Sequence, residues 1–231
     1  MGNDARGDAG VILDVDGTLL DTNYLHVVAW ARAFRDAGHD VPMSTLHRAI
    51  GIASEELTEQ VLGEVDTEVS EGHSAHYEAF KDEIRAFPRA ADLIEEIHRR
   101  GIKVVIATSG GKDDLDWMLP AIGVEEEMIT GALTSGDVDE SKPSPDPFRT
   151  ALEKYDLDPE CTVAVGDTVW DVEAAERTGL SCIAVTCGGI DERTLRDAGA
   201  VEVHDDPASL LEAIDESLIG SLSLDRDPDG G

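Results

Sequence analysis

Val11-Ile12-Leu13-Asp14-Val15-Asp16-Gly17-Thr18-Leu19-Leu20-Asp21 is the stretch on which the reading of this chain turns. Its first half is a short apolar run with the β-branched bias of a buried parallel strand. The run ends at two carboxylates, Asp14 and Asp16, and Gly17-Thr18 then marks a sharp turn off the strand end. Side chains two apart on an extended chain point the same way. Two like charges held so close need a cation between them or a shared proton. An all-oxygen site suits Mg²⁺, which takes one or two carboxylates and fills its remaining positions with water and phosphate oxygens. The strand end therefore reads as a metal-assisted phosphoryl-transfer centre with an Asp as candidate nucleophile. In a chain with 50 acidic residues, Asp-x-Asp alone is as well explained by an acidic surface loop. Its place directly behind an apolar strand and ahead of Gly-Thr-Leu favours chemistry.

Outward from that strand the sequence shows two patterns. Residues 1–9 are rich in Gly and Asp and are expected to be disordered, with the strand over 10–15. Helical periodicity follows over 22–38, 44–50, from Ser54, and over 67–85, with Gly38 as a stop signal and Ser54 as an N-cap. No convincing strand occurs between 22 and 87. After Pro88 the elements alternate: helix 91–100, strand 102–107, helix 112–119, a short strand at 128–130, helix 147–155, strand 162–165, helix 169–178 and strand 181–186. A short helix closing over 195–198, an edge strand at 200–203 and a helix over 208–218 complete the series. Alternation of this kind implies an α/β fold, a doubly wound parallel sheet with helices on both faces. Such sheets bind ligands at the carboxyl ends of their strands. The tail from 220 to 231 is expected to be disordered.

Three strand ends carry residues suited to phosphoryl transfer. The first holds Asp14 and Asp16. The second holds Thr108-Ser109 ahead of Gly110-Gly111 and a helix, where hydroxyls and backbone N–H groups form a phosphate cradle, although a plain N-cap Ser would look the same. The third ends in Gly166-Asp167, with Asp171 one helical turn further on the same face. Between them, Lys142 stands in Ser141-Lys142-Pro143-Ser144-Pro145, a loop stiffened by proline that fits a point charge held for phosphate. Several carboxylates and a phosphate require a cation besides the metal, and Lys142 is the best candidate.

These four elements, in this order, resemble the motifs of the haloacid dehalogenase-like (HAD) hydrolase superfamily, in the phosphoglycolate phosphatase and β-phosphoglucomutase branch. The resemblance runs from about Val11 to Ala213. It implies a Rossmann-like catalytic core (1–21 and 88–219) and an α-helical cap inserted at 22–87. Asp14 would be the nucleophile, forming an aspartyl-phosphate, and Asp16 the general acid/base. Thr108 would orient the phosphoryl group, with Ser109 and Gly110 assisting, and Lys142 would neutralise phosphate and nucleophile. Mg²⁺ would be held by the Asp14 carboxylate, the Asp16 carbonyl and Asp167, with Asp171 in support. In this branch the cap selects the substrate, and His47 to Gly51 occupy its substrate loop. Arg48 there would suit a carboxylate or second phosphate, or would be an ordinary surface arginine. Asn23, Tyr24 and His26 are placed to line the cleft. His73 and His76, three apart on a polar helix, read as solvated, and Trp170 as packing. Asp21 marks the start of the cap.

The implied activity is a Mg²⁺-dependent phosphatase acting on a small phosphorylated metabolite, phosphoglycolate-like or sugar-phosphate-like. A β-phosphoglucomutase-type mutase shares all four motifs and is the serious rival. A dehalogenase is disfavoured because those enzymes lack the second Asp, and a non-catalytic acidic binding module is disfavoured by the intact motif set. The chain carries no Gly-x-Gly-x-x-Gly, no P-loop and no Gly-x-Ser-x-Gly elbow.

Composition bounds the rest. The 231 residues fit a core with one insertion, and a net charge of −32 argues against nucleic acid or an anionic membrane as partner. No apolar run approaches the roughly 18 residues of a membrane span and no signal peptide is evident, so a cytoplasmic protein is expected, monomeric or weakly dimeric. With just five Lys among 18 basic residues and acids spread along the chain, the balance resembles adaptation to a high-salt cytoplasm. Cys161, Cys182 and Cys187 show no zinc spacing and read as reduced structural thiols.

Overall fold

The computed structural model describes residues 7–224. Six strands form one parallel sheet in the order β3-β2-β1-β4-β5-β6, with β1 Asp8–Leu13, β2 Lys103–Ala107, β3 Gly131–Leu133, β4 Leu157–Gly166, β5 Ser181–Val185 and β6 Glu202–His204. The first strand lies at the middle because it is apolar on both sides. Val11 and Leu13 pack under α5 (Ala90–Arg99), α6 (Leu115–Ile122), α10 (Pro207–Glu212) and α11 (Leu218–Leu224). Ile12 faces the other way, under α7 (Asp146–Lys154), α8 (Val169–Thr178) and α9 (Glu192–Asp197). Alternate side chains of one strand thus feed two separate cores, which makes the sheet doubly wound.

Four helices lie between β1 and α5: α1 Asn23–Asp36, α2 Met43–Ala49, α3 Ser54–Leu62 and α4 Thr67–Glu78. They share an apolar cluster of their own, including Val27, Trp30, Phe34, Leu46, Leu57 and Val69. The two connections to this helical unit run side by side. Asp21 N–H donates to Arg85 O and Phe87 N–H to Leu19 O, both at 2.9 Å. Trp170, at the start of α8, packs against the helical cluster from the sheet side.

Several expectations need correction. Asp8 and Ala9 belong to β1, whereas 1–6 lie outside the described residues. The tail is not irregular from 220: α11 runs to Leu224, with Ile219 and Leu222 buried against the sheet, and 225–231 lie outside the described residues. The polar residues around it hide an apolar stripe too short to stand out. The short strand falls at Gly131–Leu133 rather than 128–130, because Glu126–Met128 forms a 3₁₀ turn and Gly131 is the residue over which the Tyr155 ring fits. The edge strand is Glu202–His204, and the last helical stretch is two helices, α10 and α11. Among the described residues, no helix is long and apolar enough to cross a membrane. None of the three cysteines forms a disulfide.

Candidate active site

The carboxyl ends of β1, β2 and β4 meet under the helical unit, and Asp14, Thr108 and Asp167 follow these strands directly. Lys142 reaches them from the β3–α7 connection. Its ammonium is 3% exposed and donates to Asp14 Oδ1 (2.5 Å), Asp171 Oδ1 (2.8 Å) and Ala107 O (3.2 Å). All three donor positions of the cation are therefore filled by the protein.

Asp171 commits its second oxygen to the helix that carries it. Oδ2 accepts from the Thr168 amide (3.1 Å) and hydroxyl (2.5 Å), closing a capping box at the N-terminus of α8. Asp167 is fully buried and has two neutral donors, the Thr18 hydroxyl at 3.1 Å and the Asn23 amide at 2.7 Å. Oxygens of Asp14, Asp167 and Asp171 lie within 4.8 Å of one another. Three buried carboxylates around one ammonium leave excess negative charge, and it is concentrated on Asp14 and Asp167. Burial lifts the Asp14 carboxyl to about 7, with Asp171 and Asp16 adding to the rise and Lys142 opposing it. Burial and then Asp14 and Asp171 push Asp167 well above the usual carboxylate range. An all-oxygen set with uncompensated charge fits a hard divalent cation such as Mg²⁺.

Asp16 does not join that cluster. β1 ends at Leu13, so the alternation that would aim Asp14 and Asp16 together stops before either. Asp16 Oδ1 instead accepts from the Thr22 hydroxyl at 2.6 Å and lies 3.1 Å from His26 Nε2. Burial alone would raise this carboxyl; His26, Thr22 and Lys142 together outweigh it and hold Asp16 below the usual range. An ionised carboxylate only accepts, so Nε2 of His26 carries the hydrogen of that bond. His26 is held in turn: its ring stacks on Tyr77 with centroids 3.9 Å apart, and its Nδ1 lies 3.1 Å from His73 Nε2.

His73 is therefore not solvated as expected. It is 8% exposed and stacks on Trp30 at 4.0 Å, and burial keeps its proton affinity well below the ordinary histidine value. His76 is half-exposed and pairs with Asp36 at 2.8 Å.

Thr108, Ser109 and Gly110 sit where expected, at the β2 end. The Thr108 hydroxyl accepts from the Gly110 amide at 3.0 Å. Arg48 is not brought to the site: it is exposed on α2, and its guanidinium reaches Thr45 of the same helix at 3.5 Å. Asn23 proves central, since its amide also donates to Gly188 O at 3.0 Å. Two glycines make room for it all. Gly17 has φ +82°, and a Cβ there would land on the Asn23 amide and the Asp167 carboxylate; one at Gly188 would land on Asp167 as well. Thr18, Thr22 and Gly188 were not singled out from the sequence. The four-residue spacing of Thr22 and His26, which both reach Asp16, is a signal that could have found Thr22; no local signal marks Thr18 or Gly188.

The sequence matches the haloacid dehalogenase-like hydrolase family over residues 11–185. The chain belongs to this family and is an enzyme of the hydrolase class. It is 32% identical to protein CbbY of Cereibacter sphaeroides, over 87% of this chain and 93% of that one. It is 27% identical to validoxylamine A 7'-phosphate phosphatase of Streptomyces hygroscopicus subsp. limoneus, over 76% and 84%. A hydrolase from Pseudomonas syringae superposes with a TM-score of 0.85 at 33% identity, over 90% of this chain and 98% of that one. Crystal structures of CbbY from Rhodobacter sphaeroides superpose at 0.72 with phosphate bound and, for a variant, 0.73 with xylulose-(1,5)bisphosphate bound. Both are 27% identical, over 88% of this chain and 96% of that one.

Proposed function

We propose that this protein is a Mg²⁺-dependent phosphatase acting on a small phosphate monoester through an aspartyl-phosphate on Asp14, with the helices of 22–87 as its cap. The observation that carries the reading is the division of labour between two carboxylates two residues apart, one buried and one partly buried. Asp14 is placed against Lys142 among acceptors for a cation, and Asp16 is turned to Thr22 and His26. A named phosphatase and a phosphate-bound structure among the relatives support the same chemistry.

Asp14 and Asp167 would hold Mg²⁺ with the Asp16 carbonyl, and Asp171 would steady the pair through Lys142. The metal would supply charge neutralisation that lets an anionic nucleophile approach an anionic phosphate. Asp14 Oδ attacks phosphorus as the bond from phosphorus to the leaving oxygen breaks, and Asp16 gives its proton to that oxygen. A phosphate dianion beside Asp16 raises the proton affinity that His26 and Thr22 otherwise depress, which suits the acid role. In the second step Asp16 takes a proton from water, the water oxygen bonds to phosphorus, and Asp14 is released. Lys142 balances charge in both steps, while Thr108, Ser109 and Gly110 hold the phosphoryl oxygens.

A mutase reading would need the phosphate returned to a sugar instead of water. A screen of small phosphate esters with Mg²⁺ in high KCl tests the proposal. Steady phosphate release, lost in Asp14→Asn, is expected; turnover retained by that variant would refute the covalent route. The charge balance of −32 further supports a salt-adapted cytoplasmic enzyme.

A further inference from the structure

The proton donor marks where the leaving oxygen must lie, so the body of the substrate extends from Asp16 into the adjoining cavity of about 360 Å³. Both units wall this cavity. Trp30, His73 and Tyr77 present rings from the helical side, with Trp117 opposite. Flat aromatic faces suit an uncharged or cationic body. The charges around it are unequal. Among the described residues that line it, Asp16, Glu78 and Asp114 carry carboxylates, and Lys81 is the one permanent cation. The Lys81 ammonium is already 2.6 Å from Glu78. His26 is engaged by Asp16, and His73, kept neutral by burial, adds no positive charge.

The neighbouring cavity of about 320 Å³, which Thr108 and Lys142 border, repeats the imbalance. Glu55, Glu56 and Asp139 line it, against Lys142, whose ammonium Asp14 and Asp171 already hold. Arg48, the residue that would have bound a second anion, lines neither cavity. A second phosphate or a carboxylate on the substrate would thus meet fixed negative charge from two directions and find both lining lysines, Lys81 and Lys142, already paired. Juxtaposed like charges are the usual device by which a site rejects a wrong partner.

We propose that this enzyme takes phosphate monoesters whose remaining body is neutral or cationic, and that it rejects bisphosphates and phosphorylated acids by charge. The inference rests on the phosphatase reading and narrows it: a second anion, as in xylulose bisphosphate or phosphoglycolate, is what the cavity opposes.

The test compares kcat/KM for matched esters on the full chain with Mg²⁺, at the lowest KCl in which it stays folded. The pairs are glycerol 3-phosphate with 3-phosphoglycerate, ethanolamine phosphate with phosphoglycolate, and xylulose 5-phosphate with xylulose 1,5-bisphosphate. The first member of each pair is expected to be favoured by about tenfold or more, with the gap narrowing as KCl rises. Glu78→Gln, at the exposed rim, releases Lys81 and should narrow the gap severalfold. Equal or better turnover of the doubly anionic members would overturn the inference while leaving a phosphatase in place. A gap that neither salt nor Glu78→Gln changes would overturn charge as its cause. Absence of release from every ester would instead sink the phosphatase reading on which it rests.

Discussion

Asp14→Asn should abolish Mg²⁺-supported phosphate release and, at once, make the metal-free protein more stable. Asp14 stands with Asp167 and Asp171 around one buried ammonium, so its negative charge is in excess. Burial moves its carboxyl from 3.8 to about 7. A shift of that size corresponds to about 4 kcal/mol at about 1.36 kcal/mol per pH unit. Relaxation and the partial loss of the Lys142 bond reduce this to about 2 kcal/mol, since Asp171 and Ala107 O still hold the ammonium. An acid whose folded pKa lies above its unfolded one costs stability above the folded value, and the cost fades as pH falls from about 7 towards 4. In EDTA at pH 8 the variant should therefore melt about 4–8 °C above the wild type, and by pH 4.5 the difference should shrink towards zero. Comparing the two proteins at each pH cancels the other titrating groups. Calorimetry with EDTA, paired with a phosphate-release assay, reads both halves. A variant that melts at or below the wild type at pH 8, or a difference that ignores pH, would refute the account of excess buried charge.

Mg²⁺ should raise the melting temperature, by about 2.7 kcal/mol of stability at a hundredfold excess over Kd, and Asp167→Asn should lose most of that response in a thermal-shift titration. Gly188→Ala forces a methyl group into the Asp167 carboxylate; a loss of about 1–3 kcal/mol in urea unfolding and a weakened Mg²⁺ response are expected, and wild-type behaviour would contradict the packing. His73 has a depressed folded pKa, so wild-type stability should fall as pH drops below about 6.5, by at most about 1.4 kcal/mol per unit. His73→Phe keeps the stack on Trp30 and should flatten that slope between pH 7.5 and 5.5, as urea midpoints would show. Melting temperature should climb with KCl, because screening relieves the repulsion of a −32 chain; full stability in dilute buffer would end the salt-adaptation reading.

What the chain disclosed by itself was its local chemistry. Apolar runs that end in Asp14, Thr108 and Asp167 are visible as strands with candidate site residues at their ends because run length, turn residues and alternation are properties of neighbours in sequence. Lys142 was legible for a related reason: its proline-flanked loop is a local signal, and the charge balance demanded a cation. The parallel sheet followed from the alternation of elements, which the order β3-β2-β1-β4-β5-β6 bears out.

Tertiary structure decided which side chains those ends meet. Asn23 bonds Asp167 across 144 residues, and no local pattern encodes that distance. His73 looked solvated on a polar helix, yet α4 lays it between Trp30 and His26, so its burial depends on what α1 presents. Arg48 lies within the loop that the resemblance assigns to the substrate, but the direction its helix faces leaves it exposed on α2. Asp14 and Asp16 share a motif and part company because the strand stops one residue before the first of them. The proposed reaction is read from the strand ends; the separation of the two carboxylates, and the acidic cavity beside them, exist only once the helical unit folds over the sheet.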